Sequence, residues 1–362
     1  MSELLPLGVF FGIAAAATLA GPEPEPPRTA PGPSLVSRVL ADYAPAPAAA
    51  ATDGPEDHAA ARVAAVTALL AKLPDERRAE LLLPLDDDER SNWTNVPPGR
   101  DEEGLRLGDC GEEQLHAVCD LLATVLSEDG YARSRDILLG DDLLLRDGRP
   151  RPGFGAENYW LVLFGEPAVG GEWGLQLDGH HLALNLSFDG AAMTMSPTFL
   201  GAQPSRFERG DSVAEPLAGA VAAAFALVGA LTDEQRGVAV VGEQRGGNVA
   251  GAGRDGFVPA REGLPLSEVD ASVRAKALAI LDGVIGDLPE PAARARRAAL
   301  ADELSEMHFS WRGPTAPGSD VSFRLQGPTI LLEYACQDLG GDPLDHLHLM
   351  YRDPTNEYGA GL

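Results

Sequence analysis

Apolar residues recur with helical spacing in several separate stretches of the chain. From residue 56 to residue 73 and from residue 111 to residue 127 they fall three and four positions apart, which predicts two amphipathic helices packed on a core. The same spacing predicts further helices at residues 214–229, 232–237, 267–285 and 289–304. Ser267 is the expected N-cap of the third of these, because a serine side chain can accept a hydrogen bond from the first turn.

Two other regions are rich in β-forming residues and predict strands. These strands lie at residues 158–164, 172–177, 180–188, 192–195, 307–311, 321–325, 329–334 and 344–351. The second and third form a predicted hairpin joined at Asp178-Gly179. Because helices separate the two strand regions instead of alternating with single strands, we expect an α+β fold: an antiparallel sheet system flanked by helices in one large domain.

The N-terminal part of the chain has a different composition. Residues 4–20 form an apolar run ending in small residues, and residues 21–47 are rich in Pro, Ala and Glu. We therefore divide the chain into an apolar segment with a linker, residues 1–52, and a folded domain, residues 53–362. The apolar run resembles a secretory signal peptide, although Glu3 stands where a basic residue is expected, and it is short for a transmembrane helix. Export to the periplasm or the outside and retention in the cytoplasm both stay open.

The charge balance limits the partners of the protein. The 28 basic and 55 acidic residues give a formal net charge of −27, which repels the phosphates of nucleic acids and anionic lipid surfaces. Three cysteines are too few for a disulfide framework. A small-molecule ligand is therefore the expected partner, and the sequence does not indicate the oligomeric state.

Histidines form the most distinctive chemical feature. His346 and His348 are two residues apart on a predicted strand, so both side chains lie on one face and can bind one metal ion. His180 and His181 begin another predicted strand, where adjacent side chains point to opposite faces. Only one of them is then expected as the third ligand. Strand parity favours His181, which shares its face with polar residues.

Glu333 is a carboxylate between apolar neighbours on a predicted strand, and it needs a partner. It is a candidate metal ligand or general base. Alternatively, it forms an ion pair with Arg324 or Arg352, and the histidines simply bond to backbone carbonyls. Two histidines with a carboxylate suit iron, whereas three histidines suit zinc or copper. Arg324 and Arg352 are candidates for orienting an anionic substrate.

A glycine-rich segment at residues 251–256 matches the dinucleotide-binding pattern in letters only. No strand precedes this segment and no helix follows it, so we expect a loop. The chain also contains no phosphate-binding Walker loop, nucleophile elbow or helical zinc-protease motif.

Several short motifs in the same order resemble a bacterial family catalogued as domain of unknown function 3500. They are Trp93-Thr94-Asn95-Val96-Pro97, Leu126-Ser127-Glu128-Asp129-Gly130-Tyr131, Phe164-Gly165-Glu166-Pro167, Gly179-His180-His181, Phe323-Arg324-Leu325-Gln326-Gly327-Pro328, Glu333-Tyr334 and His346-Leu347-His348. The resemblance implies a single large domain and, in many members, a signal peptide. It implies no particular reaction.

The leading hypothesis is a metal-dependent enzyme with His346, His348 and either His181 or His180 as ligands, in which iron, copper or zinc acts on a small anionic substrate. Oxidative chemistry is favoured slightly over hydrolysis, because histidine outnumbers carboxylate among the candidates. The alternative is a non-enzymatic, exported ligand-binding protein. In that alternative the histidines line a pocket without metal, together with Trp173, Trp311 and Tyr334. Trp311 and Tyr334 are also substrate-binding candidates for the enzyme.

Overall fold

The computed structural model describes residues 32–45, 54–97, 102–146, 151–339 and 341–362. The candidate signal peptide at residues 4–20 lies outside these ranges. The helices are α1 (Leu35–Asp42), α2 (Pro55–Lys72), α3 (Asp75–Leu81), α4 (Glu112–Val125), α5 (Glu128–Arg146), α6 (Ala218–Ala230), α7 (Asp233–Ala239), α8 (Ala271–Ile285) and α9 (Glu290–Glu303).

The strands are β1 (Leu82–Leu83), β2 (Leu105–Arg106), β3 (Tyr159–Gly165), β4 (Glu172–Gly179), β5 (Leu182–Asp189), β6 (Ala192–Ala202), β7 (Phe207–Arg209), β8 (Ser212–Ala214), β9 (Val240–Gly242), β10 (Leu264–Pro265), β11 (His308–Arg312), β12 (Ser322–Gln326), β13 (Leu331–Cys336) and β14 (Leu347–Arg352).

One large sheet organises the described residues. Its strands run in the order β1-β3-β4-β5-β6-β14-β13-β12-β11-β10, with β2 beside β3 and β9 beside β11. The long strands all pair antiparallel, and only the short edge strands β1 and β9 pair parallel. The α+β prediction is confirmed, and Gly32–Leu362 forms one compact unit. The central pairing of β6 with β14 joins the two strand regions of the sequence.

The two faces of the sheet are covered differently. Helices cover one face, where Trp311, Phe323 and Tyr334 stack in succession and Phe225 of α6 packs edge-on against Trp311. Loops cover the opposite face, where Arg90 bonds to Ser187 of β5. We call these the helix face and the loop face. Alternate residues of each strand therefore face a dry core and a more polar layer.

The glycine-rich segment lies in a loop, as predicted. This glycine-rich loop, residues 243–263, belongs to the layer that covers the loop face. Glu333 of β13 accepts hydrogen bonds from the backbone N–H groups of Val249 and Ala250, at 2.9 and 3.0 Å. Gly256 N–H bonds to the carboxylate of Glu357 in the C-terminal segment. These contacts hold the loop against the sheet.

Three local predictions were wrong or incomplete. Helix α1 lies within the predicted linker, because Val36, Val39 and Leu40 form a buried apolar stripe between the prolines. Helix α8 begins after Asp270, not Ser267, since the Asp270 carboxylate accepts from two N–H groups of the first turn. Helix α5 was not predicted at all: acidic residues interrupt its apolar pattern, and several of them are buried.

The predicted hairpin exists, but its turn differs from the prediction. Strand β4 continues to Gly179 and β5 starts at Leu182, so His180 and His181 form the turn itself. Their rings consequently do not point to opposite faces of a strand. They stack on each other with centroids 3.7 Å apart. This placement decides which histidine can meet the others.

Candidate metal centre

Three imidazole rings converge at one end of the central strands. His346 precedes β14, His348 lies within it, and His181 comes from the β4–β5 turn. Because β5, β6 and β14 are neighbours in the sheet, the turn reaches the start of β14. The Nε2 atom of His346 lies 3.1 Å from Nε2 of His181 and 2.9 Å from Nε2 of His348.

These separations are close to those of nitrogens bound to one ion. Ligands at about 2.0–2.1 Å from a tetrahedral zinc are roughly 3.3 Å apart. The possible ligand atoms of the three histidines all lie within 4.8 Å of one another. The three rings can therefore offer one ligand atom each to a single ion, and a tetrahedral ion would keep its fourth position for water or a substrate.

The far nitrogen of each of two rings faces a group that can only accept hydrogen bonds. His346 Nδ1 lies 2.6 Å from the carbonyl oxygen of Leu339, so the neutral ring carries its proton there and Nε2 has a bare lone pair. His181 Nδ1 lies 3.2 Å from a carboxylate oxygen of Asp141. A proton on that nitrogen leaves a second bare lone pair on His181 Nε2.

Either tautomer of His181 leaves an unfavourable contact when no cation is bound. With the proton on Nδ1, two lone pairs face each other across the His181–His346 contact. With the proton on Nε2, the Nδ1 lone pair faces the Asp141 carboxylate. His181 Nδ1 also has no well-aligned hydrogen bond in the described structure. A metal ion at the three Nε2 atoms removes the conflict, because it binds the lone pairs and leaves Nδ1–H to Asp141.

Asp141 supports the cluster from α5. It is fully buried, and its carboxylate accepts hydrogen bonds from His180 Nδ1 at 2.6 Å and from Gly155 N–H at 3.2 Å. Burial opposes ionisation, but the contacts with His180 and His181 outweigh it and hold the pKa of Asp141 at about 2. The carboxylate is thus charged at neutral pH and fixes the orientation of both rings.

His180 lies beside the cluster, held between Asp141 and aromatic neighbours. Its ring stacks on Phe154 at 4.5 Å and on His181. Asp141, His180 and His181 also offer atoms close enough to hold an ion. However, the 2.6 Å separation between His180 and Asp141 is typical of a charge-assisted hydrogen bond and short for two ligands of one ion. We therefore assign this group to the outer shell.

Burial keeps the converging imidazoles neutral. His181 and His346 are almost inaccessible to solvent and His348 is half-buried. Burial, and then the neighbouring His180, lower the pKa of His181 to about 4. Burial also lowers the pKa of His346 and holds the pKa of His348 well below its usual value. Neutral imidazole is the form that binds metals.

Glu333 has partners away from the histidines. Besides the two N–H groups of the glycine-rich loop, its carboxylate accepts from Arg324 Nε at 2.9 Å. The ion pair with Arg324 considered from the sequence is therefore present. It lies on the loop face, where Glu333 is paired with Met350 of β14.

The other predicted substrate-binding residues also lie apart from the cluster. Arg352 bonds to Glu357 and to the carbonyl oxygens of Ala250 and Phe257. Trp311 and Tyr334 are buried on the helix face. In the structure all of them contribute to packing.

Asp141 is the residue that sequence reasoning missed. It lies in the unpredicted α5, some forty positions before the histidines, and the sequence carries no motif that links it to them. The available signal was the run of acidic residues between apolar ones at residues 128–146. The N–H of His181 donates to Tyr159 Oη at 3.1 Å, and Tyr159 Oη lies 3.4 Å from Asp141. These contacts fix the turn over Asp141.

The family model described as "Protein of unknown function (DUF3500)" matches residues 56–360. The chain belongs to this family. The match covers α2 to the C-terminal segment, so it includes Asp141 and all four histidines of the site. No curated protein and no solved structure matches the chain significantly. Family membership therefore defines the extent of the domain, and the functional argument depends on the site.

Among the described helices, none has the length and apolar character needed to span a membrane.

Proposed function

We propose that this protein is a metal-dependent enzyme whose metal ion is bound by His181, His346 and His348. The convergence of three neutral Nε2 atoms, two of them on rings with a hydrogen-bond acceptor behind them, is the observation that carries the proposal. Asp141 and the Leu339 carbonyl are the outer-shell groups of this centre.

The donor set favours copper or zinc. All three inner ligands are neutral imidazoles, and iron sites of the oxygenase type normally include a carboxylate ligand. Glu333, the predicted carboxylate ligand, is bonded to Arg324 and to two backbone N–H groups. We therefore place iron behind copper and zinc.

Oxidative chemistry at copper is the first choice and hydrolysis at zinc the second. Copper supplies one-electron redox chemistry, whereas zinc lowers the pKa of a bound water to about 7. Asp141 is ionised and engaged with histidines, and Glu333 is bonded to Arg324. Asp345, next to His346, accepts from Ser205 N–H, so none of these three carboxylates is free to act as a general base at the cluster. This favours a reaction that needs no such base.

The proposed substrate is a small molecule carrying a negative charge. An ion with three neutral ligands keeps its double positive charge, which attracts an anion to the open position. Arg324 and Arg352 stay candidates for substrate orientation only if their present ion pairs open. A non-enzymatic binding protein, exported or not, is the rival proposal.

The test uses apo protein loaded separately with Cu²⁺ and Zn²⁺. Electron paramagnetic resonance of the copper form should show nitrogen couplings from three imidazoles, reduced to two in His348→Phe.

Oxygen uptake is then measured with ascorbate and protocatechuate, and hydrolysis with p-nitrophenyl acetate and p-nitrophenyl phosphate. Oxygen uptake by the copper form supports the first choice, and hydrolysis by the zinc form supports the second. A stably bound metal with neither activity favours the rival, and a copper spectrum without imidazole nitrogens contradicts the metal centre.

A further inference from the structure

A second candidate binding site lies away from the cluster of His181, His346 and His348, at the opposite end of β6. It is a cleft of about 400 Å³ between the start of β6, α9 and the C-terminal segment, a size typical of small-molecule sites. Its walls are mainly apolar and include Ala191, Met193, Leu288, Ala292, Ala295 and Tyr351. Alanines on α9 leave room for an aliphatic chain.

Behind one wall of this cleft lies a buried arginine that has no carboxylate partner in the described part of the chain. Arg62 of α2 is 2 % exposed. Its guanidinium donates to the Met193 sulfur at 3.1 Å and to the carbonyl oxygens of Gly190 and Ala191 at 3.4 Å each. Ala191 and Met193 themselves line the cleft. Burial lowers the pKa of Arg62 to about 10, and no carboxylate among the described residues offsets this effect.

Apart from the Phe188 ring, whose centre lies 4.7 Å from its guanidinium carbon, the contacts of Arg62 are weak for a buried cation. Separations of 3.4 Å lie near the outer limit of hydrogen bonding, and a thioether is a poor acceptor. Buried charges are normally paired. A carboxylate entering past Ala191 and Met193 would replace these contacts with shorter, charge-assisted bonds.

A second unpartnered group lies one helical turn away. His58 precedes Arg62 by four residues on α2, so both side chains lie on the same side of the helix. His58 is 5 % exposed, and neither of its ring nitrogens has a hydrogen-bond partner in the described residues. Pro55, which lines the cleft, is one turn before His58. Two basic side chains without acidic partners among the described residues thus lie on the helix that brings Pro55 to the cleft, although neither of them lines it.

The other charged groups of the cleft neutralise each other. Arg296 forms a salt bridge of 3.0 Å with Asp353 and also bonds to Tyr351 Oη. Thr194 and Asn356 add only uncharged polar atoms. The lining therefore carries no net charge of its own, and the positive charge of Arg62 lies behind Ala191 and Met193.

We propose that this cleft binds a small amphiphilic carboxylic acid, with the aliphatic part along α9 and the carboxylate held by Arg62 and His58. This inference is independent of the metal centre. The specificity of this second ligand site comes from an apolar channel combined with one buried cation.

The test is isothermal titration calorimetry of the full chain with octanoate, octan-1-ol and octylammonium. Octanoate should bind roughly tenfold or more tightly than the other two, because only it replaces the weak contacts of Arg62 with charge-assisted bonds. Arg62→Met should remove this preference. Equal binding of octanoate and octan-1-ol by the unmodified protein would overturn the proposal.

Two further variants locate the site even if Arg62→Met fails to fold. Ala295→Phe fills the cleft from an exposed position of α9 and should abolish octanoate binding, whereas Ala298→Phe, exposed on the same helix but outside the cleft, should leave binding unchanged. Equal affinity in the two variants contradicts the assignment. Octanoate affinity should also survive replacement of His346 and His348 by alanine, and its loss there would assign the binding to the histidine cluster instead.

Discussion

Gly201 and His181 are in direct contact across the pairing of β6 with the β4–β5 turn. The N–H of Gly201 donates to the carbonyl oxygen of His181 at 2.6 Å, and a Cβ atom at position 201 would lie 2.6 Å from Cδ2 of the His181 ring. Position 201 is also paired with His348 on its other side. Only glycine lets the His181 ring lie flat over β6 towards β14.

Gly201→Ala should therefore weaken metal binding by displacing the His181 ring. We expect at least a tenfold loss of affinity, since a three-ligand centre would keep two ligands. The control is Gly219→Ala in α6, where the added Cβ meets no atom within 4 Å and helix propensity favours alanine by up to about 1 kcal/mol. Competition titration with a chromophoric chelator measures both variants. Equal affinities in the two would show that the contact with Gly201 does not position the ring.

Asp141→Asn should lower metal affinity while leaving the inner ligands in place. The amide keeps the shape of the carboxylate but loses the charge that attracts Nδ1–H of His181 and His180. Losses of roughly 10–100-fold are typical for such outer-shell changes. Tyr159→Phe removes the acceptor of the His181 N–H and a weak 3.4 Å contact with Asp141 but leaves the carboxylate charge in place, so it should have a smaller effect. The ranking would be contradicted if the Tyr159 variant lost more affinity than the Asp141 variant.

Most of the sheet could be predicted from the sequence, because its long strands carry leucine and aromatic residues with turn residues between them. The edge strands β1, β2, β9 and β10 could not, since each has only two or three residues and exists through pairing. Helix α5 was missed for a related reason. Asp136, Asp141 and Asp142 are buried in it, so tertiary partners override the polar pattern.

The candidate site was predictable only in part. His346 and His348 were found from their two-residue spacing. Strand β14 begins only at Leu347, but His346 just before it is also extended, so both rings still meet. The convergence of His181 with them depends on the exact turn of the hairpin and on the β5–β6–β14 order, neither of which parity supplies. Asp141 contributes through tertiary packing alone. The roles of Glu333 and Arg352 depend on loops whose paths the sequence does not indicate.

Glu333→Gln should loosen the glycine-rich loop without changing metal content. The amide can keep its bonds to the N–H groups of Val249 and Ala250 but loses the charged partner of Arg324. The loss should lower the free energy of unfolding by about 1–3 kcal/mol. Hydrogen exchange should show faster exchange in residues 243–263. An unchanged exchange rate together with lost metal would instead support the metal-ligand role expected from the sequence.

Asp178 gives a pH dependence of stability with a defined sign. Its carboxyl is buried on β4 and accepts from Thr94 N–H at 2.8 Å, but burial dominates and raises its pKa to about 8. Between the unfolded pKa near 4 and the folded value, the folded state holds an extra proton. Stability should therefore fall as pH rises from about 4 to 8, by on the order of a few kcal/mol.

The measurement compares urea unfolding of the unmodified protein and Asp178→Asn across this pH range. The asparagine can still accept from Thr94 and has no proton to lose, so the stability difference should grow in its favour as pH rises. Buried histidines contribute with the opposite sign in both proteins and cancel in the comparison. A difference that stays constant with pH would show that Asp178 is already ionised at low pH.

The most direct test of the metal centre is elemental analysis of purified protein prepared without a metal-affinity tag. The proposed three-histidine centre predicts about one copper or zinc ion per chain, and less than a tenth of that in the His346→Ala, His348→Ala double variant. His116→Ala removes a partly exposed histidine of α4 that is not part of the cluster, so this variant should keep full occupancy. Substoichiometric metal that the double variant leaves unchanged would contradict the account.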